Sequence, residues 1–496
     1  MVNVRKSLAR GTAWIAGARA VTNALGFAST LVLARLLTPD DFGLVALATT
    51  MLAILTSLTD LSLTSALVQH KAPAEHHFHA AWTLQFLRNT FLSAAFAAAS
   101  FPAAAFFAEP RLVGVMFALA VSIFIQGLSN PRSIMLTRDL VFWQQFMMQV
   151  GSKIATLLVA TAIAYVYRSY WALVWSTIAG QIVSLALSYT VLPFRPRPQF
   201  RGARELIGFS VWLTLGQMIN TINWKSDQIF IGGYLGRPAL GFYSVGDNLA
   251  IMPTRELTSP ITQTLFPAFS RVSHDPDRLR SAYQKSQAVV TALALPAGVG
   301  TALVAHPLVL LTMGAKWLPV VFVIQVLASV FAFQSLGSLS QPLAMATGNT
   351  RLLFRRDLQG FLMRLPTIVA GMLIAGLPGI IYARAITGFL AIILHMQVVK
   401  KVTGLTITEQ FGANKRAITS VISMGLAVGA LSHFMGVFGT STSALALRLA
   451  ILATAGAVTY LAATAVLWVW ASRPDGHEKE ILAVGKRMVA KFATFL

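Results

Sequence analysis

The residues best placed to do chemistry in this chain are cations embedded in apolar runs: Arg19, Arg88, Lys153, Arg255 and Arg364. A charge at membrane depth costs about 2.5–3.5 kcal/mol on insertion scales, so each one is a functional hypothesis. At about 1.5 Å per helical residue, Arg19 lies roughly 12 Å into its run, Arg88 about 13 Å, Lys153 about 12 Å and Arg364 about 18 Å. Arg255 comes from the opposite side and lies about 24 Å down. Cations gathered on one side of the midplane, with few carboxylates near them, fit a site that loads an anion. Guanidinium forks grip phosphate through two parallel hydrogen bonds, which favours the arginines over Lys153. The competing reading is that such side chains snorkel to headgroups or close a structural pair. For Arg88 and Lys153 that reading is preferred, and for Arg364 the two are balanced. Arg384 and Arg448 lie close to run ends and read as interfacial anchors.

Carboxylates are scarcer. Asp247 sits about 12 Å deep, where it can balance an arginine or carry an ion. Pairing, with Arg255 two turns on, is preferred over H+ or Na+ coupling, and nothing in the residues separates the two ions. Asp60 reads as structural. Lys225 and Asp227 are two apart and do not face each other on a helix, so each is expected to have another partner. Glu256, next to Arg255, is expected to point elsewhere. The Glu75-His76-His77-Phe78-His79 cluster has no i, i+4 histidine pair, and the chain has no cysteine, so it reads as a solvated loop and not a metal site. No HExxH, Gly-rich phosphate loop or Ser/His/Asp set is present, and no cofactor is implied.

These residues sit in a chain of 496 residues, 56% hydrophobic and only 11% charged. Soluble proteins carry about 25% charged residues, and apolar runs of about 20 residues recur here from end to end. The expected fold is an all-α polytopic membrane protein of about fourteen transmembrane helices. A β-barrel would show short alternating segments instead. The basic N-terminus precedes a run too long for a signal peptide and reads as an uncleaved first span. Loops assigned alternately to the two sides carry Lys and Arg in a ratio of 26 to 5, which places both termini in the cytoplasm. The net charge of +22 is therefore mostly topology, and a nucleic-acid partner is not expected. Residues 473–496 read as a cytoplasmic amphipathic helix, with Ile481, Leu482, Met488 and Phe492 opposite Lys479, Lys486 and Lys491, suited to membrane lipids.

The first two runs, 11–37 and 42–69, form a hairpin. At its hinge Thr38 is the cap, Pro39 takes the first helical position, and Asp40 and Asp41 meet the positive helix end. A shift of 198 residues lays Leu37-Thr38-Pro39-Asp40-Asp41-Phe42-Gly43 on Leu235-Gly236-Arg237-Pro238-Ala239-Leu240-Gly241, six spans later. An even number of spans keeps the orientation, so the halves should be related by a pseudo-two-fold along the membrane normal. The expected organisation is an N-terminal six-helix lobe (1–198), a C-terminal six-helix lobe (199–403), two additional helices (404–472) and the tail, with a substrate path between the lobes.

The run Leu33-Ala34-Arg35-Leu36-Leu37-Thr38-Pro39-Asp40-Asp41-Phe42-Gly43-Leu44-Val45-Ala46 resembles the first hairpin of polysaccharide transporters (Wzx-type flippases), in particular the colanic-acid translocase branch. Asp60-Leu61-Ser62-Leu63 continues the pattern, with serine where the family more often has glycine. The second half agrees through Asp227-Gln228-Ile229-Phe230-Ile231-Gly232, Leu240-Gly241-Phe242-Tyr243-Ser244 and Leu265-Phe266-Pro267-Ala268-Phe269-Ser270-Arg271. The resemblance covers roughly 11–403. It implies the two-lobed architecture of the superfamily that also holds multidrug exporters and the lipid II flippase. It also implies alternating-access movement of undecaprenyl-pyrophosphate-linked oligosaccharide to the outer leaflet of the bacterial inner membrane, alongside polymerase and chain-length machinery. Because the first and eighth spans line the central cavity in that family, the resemblance favours substrate contact for Arg19 and Arg255. The alternatives are a multidrug or lipid II exporter, or a membrane polysaccharide polymerase or ligase. Buried cations argue against an exporter of organic cations, and the lack of a large external loop argues against the enzymes.

Overall fold

The computed structural model describes residues 2–59, 74–138, 142–202, 211–435, 441–472 and Glu478. Among them there are helices and no strands. In chain order the spans are α1 (Val2–Leu36), α2 (Pro39–Leu58), α3 (Glu75–Phe106), α4 (Arg111–Gly127), α5 (Phe142–Tyr167), α6 (Trp171–Val191) and α7 (Val211–Phe230). They continue as α8 (Arg237–Val272), α9 (Pro276–Leu303) and α10 (Ala315–Ala346). The continuous helix Thr350–Thr403 reverses at Ala375 and Gly376, the latter at φ 58°, so it counts as α11 (350–374) and α12 (377–403). A carbonyl-to-glycine approach between Gly371 and Gly379, too tight for any Cβ, closes this reversal. α13 (Ile407–Phe434) and α14 (Thr442–Trp470) complete fourteen spans.

Proline removes a backbone donor and ends or kinks a helix, so in the sequence Pro253 and Pro260 mark a break in the eighth span. The structure corrects this: both lie with Pro267 inside α8, and the helix runs unbroken. Within a packed bundle, neighbouring helices and side-chain hydroxyls can meet the backbone groups that proline leaves open.

The chain divides into two compact units, Met1–Ser244 and Val245–Leu496. In the first, α5 and α6 pack together, α1 lies along α5, α3 along α4, and α7 along α2. That last contact carries α7 and the opening turns of α8 into this unit. In the second, α9 packs on α10 and α13, and α13 on α14. Its core includes Leu295, Ala332, Val421, Met424 and Leu452, all essentially solvent-free. Residues 60–73, which include Asp60, and the proposed tail, Glu478 apart, lie outside the described residues.

The hinge chemistry forms as the residues dictate. Thr38 Oγ1 accepts from the Asp41 N–H at 3.3 Å, and the Asp41 carboxylate accepts from the Thr38 N–H at 2.9 Å. This is a reciprocal capping box with Pro39 at the helix start. The second hinge turns on Gly236, at φ 85°. The hinges meet each other under the same 198-residue shift. A Cβ on Gly43 would collide with the Arg237 carbonyl, and a Cβ on Gly241 would collide with the Pro39 carbonyl. Glycine is what allows the two helix starts to cross at this distance.

Candidate substrate site

At the hinge end, the crossing is bound by charge. Asp40 accepts from Arg111 at 2.9 Å and pairs with Arg237 at 3.2 Å. Glu109, only 8% exposed, takes Arg111 at 2.9 Å and also pairs with Arg237. Two carboxylates and two guanidiniums therefore tie the start of α2, the α3–α4 link and the start of α8 together. Asp40 read in the sequence as a partner of the helix end alone, because Arg111 and Arg237 are far from it along the chain.

Of the five candidate cations, Arg88 has the most completely defined geometry. Its Nε donates to the Thr59 carbonyl at 2.6 Å and an Nη to the Thr56 carbonyl at 3.0 Å. It thereby adds donors to carbonyls in the last turn of α2, where the helix ends. Arg19 is half-buried on α1, and Arg364 is buried on α11 at 9% exposure. Lys153 is exposed on α5. Arg255 keeps 60% of its side chain exposed and meets Glu256 at 3.4 Å. Glu256 therefore turns toward its sequence neighbour, contrary to expectation.

Asp247 does not pair with Arg255. Its partner is Arg384, at 2.5 Å, with the guanidinium 5.4 Å from the Phe331 ring centre. Arg384 is 4% exposed in its side chain, so it is a buried pair-former and not an interfacial anchor. The two residues are 137 positions apart, which is why spacing pointed to the wrong arginine. Arg448 donates to Ser432 Oγ at 3.1 Å. Asp227 is fully buried and accepts from the Tyr243 hydroxyl, while Lys225 beside it is half-buried. Next to it, Gln228 accepts from the Thr50 hydroxyl and links α7 to α2.

The histidine cluster is not a solvated loop. His77 and His79 are buried, and their Nδ1 atoms accept from the backbone N–H groups of Ala74 (3.0 Å) and Arg197 (3.2 Å). A buried polar cluster in the second unit carried no clear sequence signal. Arg356 on α11 reaches Asp357 at 2.7 Å and Ser340 on α10 at 3.1 Å, and Ser340 meets His395 on α12 at 2.7 Å. Arg356 looked like a loop charge, and His395 stood alone in an apolar run.

A cavity of about 560 Å³ opens in the first unit, lined by α1, α5, α6 and the short helix Ser133–Arg138. Lys153 is on its wall with Gln149 and Gln181, and Thr22, three residues beyond Arg19, lines it from α1. The wall is rich in hydroxyls and amides and includes no carboxylate among the described residues.

Residues 32–322, more than half of the chain, match the family described as polysaccharide biosynthesis protein. The chain belongs to that family. Its relatives include the lipopolysaccharide biosynthesis protein WzxC of Escherichia coli, 24% identical over 76% of this chain and 78% of that protein. The succinoglycan biosynthesis transport protein ExoT of Rhizobium meliloti is 25% identical over 63% of this chain and 64% of its own length. The teichuronic acid biosynthesis protein TuaB of Bacillus subtilis is 21% identical over 81% and 83%. Among solved structures, the lipid II flippase MurJ in an inward closed conformation matches 92% of this chain and 99% of its own, at TM-score 0.70 and 14% identity. An inward-facing MATE multidrug transporter matches 77% and 95%, at TM-score 0.64 and 12% identity. These neighbours share the fold. The protein is a multi-pass α-helical membrane protein of that family, and its relatives include a named transport protein, ExoT.

Proposed function

We propose that the protein is a flippase that moves undecaprenyl-pyrophosphate-linked oligosaccharide repeat units from the cytoplasmic to the periplasmic leaflet of the bacterial inner membrane by alternating access. The product would feed exopolysaccharide, capsule or O-antigen synthesis, with both termini cytoplasmic. Family membership supports polysaccharide transport. The observation that carries the lipid-diphosphate part is the set of arginines carried within the spans: Arg19 on α1, Arg255 on α8 and Arg364 on α11. Guanidiniums at membrane depth are costly, and they are the groups that grip a diphosphate. We assign Asp247 to charge balance and not to ion coupling, because its carboxylate is held by Arg384.

Within this reading Arg19 and Arg255 contact the anionic head group, and Arg88 holds the end of α2. Arg19→Ala and Arg255→Ala are each expected to abolish surface polysaccharide while the protein stays in the membrane at its normal amount. Normal export by both variants would remove the anion-site proposal.

A further inference from the structure

We infer that the polar cavity within the first unit is a sugar-binding pocket, which holds the oligosaccharide head group of the transported lipid. This rests on the flippase reading and adds where the glycan sits. Ten of its thirteen described lining residues are polar, a composition that suits a ligand covered in hydroxyls and not an apolar drug or an acyl chain. Its volume of about 560 Å³ falls within the roughly 300–1,000 Å³ of pockets that enclose small ligands.

The wall is built and not incidental. Gly180 on α6 faces Thr156 and Ser152 on α5 so closely that a Cβ there would strike the Thr156 hydroxyl. Ser152 Oγ donates to the Gly180 carbonyl at 2.9 Å. The two helices are thus clamped at one level, and their amide side chains line the cavity. The side-chain amides of Gln149 and Gln181 have no hydrogen-bond partner among the described residues. An amide on a membrane-spanning helix carries two donors and an acceptor that lipid cannot satisfy, so water or a polar ligand must meet them. Amides and hydroxyls that both donate and accept are the groups that recognise sugar hydroxyls. Among the described lining residues the charged one is Lys153, which gives the pocket a preference for glycans bearing an acidic group. One lysine is a weak match for a diphosphate, which calls for several cations.

The chain has no cysteine, so Ser184→Cys places its sole thiol on the cavity wall. Inside-out inner-membrane vesicles carrying this variant are treated with a membrane-impermeant maleimide. One set comes from a host that makes the lipid-linked repeat unit, and the other from a host lacking the initiating sugar-phosphate transferase. The thiol is expected to react, and to react several-fold more slowly in the first set. Undecaprenyl diphosphate added to the second set is expected to give no protection. Equal rates in both sets, protection by undecaprenyl diphosphate alone, or a thiol that does not react would each overturn the sugar pocket. Thr177→Cys, on the same wall, serves as the probe if Ser184→Cys fails to accumulate. The wider reading is tested separately, by whether gene deletion abolishes surface polysaccharide and the wild-type chain restores it. Restoration together with equal alkylation rates would leave the transporter standing and remove the pocket.

Discussion

Arg384 and Asp247 show how charge behaves inside this bundle. Their side chains are 4% and 18% exposed, and taking one partner away strands the other in a poorly solvated place. Breaking such a pair typically costs about 3–5 kcal/mol, whereas replacing both ions by uncharged groups is often neutral. Arg384→Met is therefore expected to lower the thermal stability of the detergent-solubilised protein sharply, and Asp247→Asn combined with Arg384→Met to recover most of the loss. A double variant as unstable as the single one would show that the arginine matters for some other reason. At this scale the sequence reveals which residues are costly but not what they touch. Hydropathy located Arg19, Arg88, Arg255 and Arg364 by depth. It could not show that Arg88 finishes α2, or that Asp247 looks across the bundle to α12 and not along its own helix. Those contacts depend on packing between segments far apart in the chain.

At the scale of elements, the crossing of the two hinges is the most constrained feature. Gly43 and Gly241 each sit against the carbonyl of the other hinge, with no room for a methyl group. Gly43→Ala and Gly241→Ala should each force the helix starts apart, at a cost of about 1–3 kcal/mol. Gly26→Ala, which meets nothing within 4 Å, should be tolerated. Melting curves of the three variants check this, and an undisturbed Gly43→Ala protein would contradict the close crossing. Much of this scale was legible. Apolar runs gave the spans, and Thr38, Pro39 and Asp41 gave the capped start of α2. The recurrence of the hinge at a fixed shift anticipated a related pair of hairpins. What misled was proline. Pro253 and Pro260 read as breaks, but a packed bundle can tolerate proline within a span, and α8 continues.

For the whole molecule, the fourteen-helix fold followed from physics that acts on every residue alike, since lipid leaves helices as the way to satisfy the backbone of such runs. The charge bias of the loops predicts an orientation on equally general grounds. Alkaline phosphatase fused after Leu496 is expected to be inactive, because it stays in the cytoplasm; an active fusion would contradict the assignment of both termini. Transport itself is tested most directly by reconstitution. Undecaprenyl-diphosphate oligosaccharide with a fluorescent sugar is placed in proteoliposomes under a proton or sodium gradient, and an impermeant quencher is added outside. The wild-type protein should expose the inner-leaflet pool to quenching, while Arg19→Ala and Arg255→Ala should leave it protected. If the wild-type protein leaves the inner pool as protected as it is in protein-free vesicles, the flippase account is contradicted.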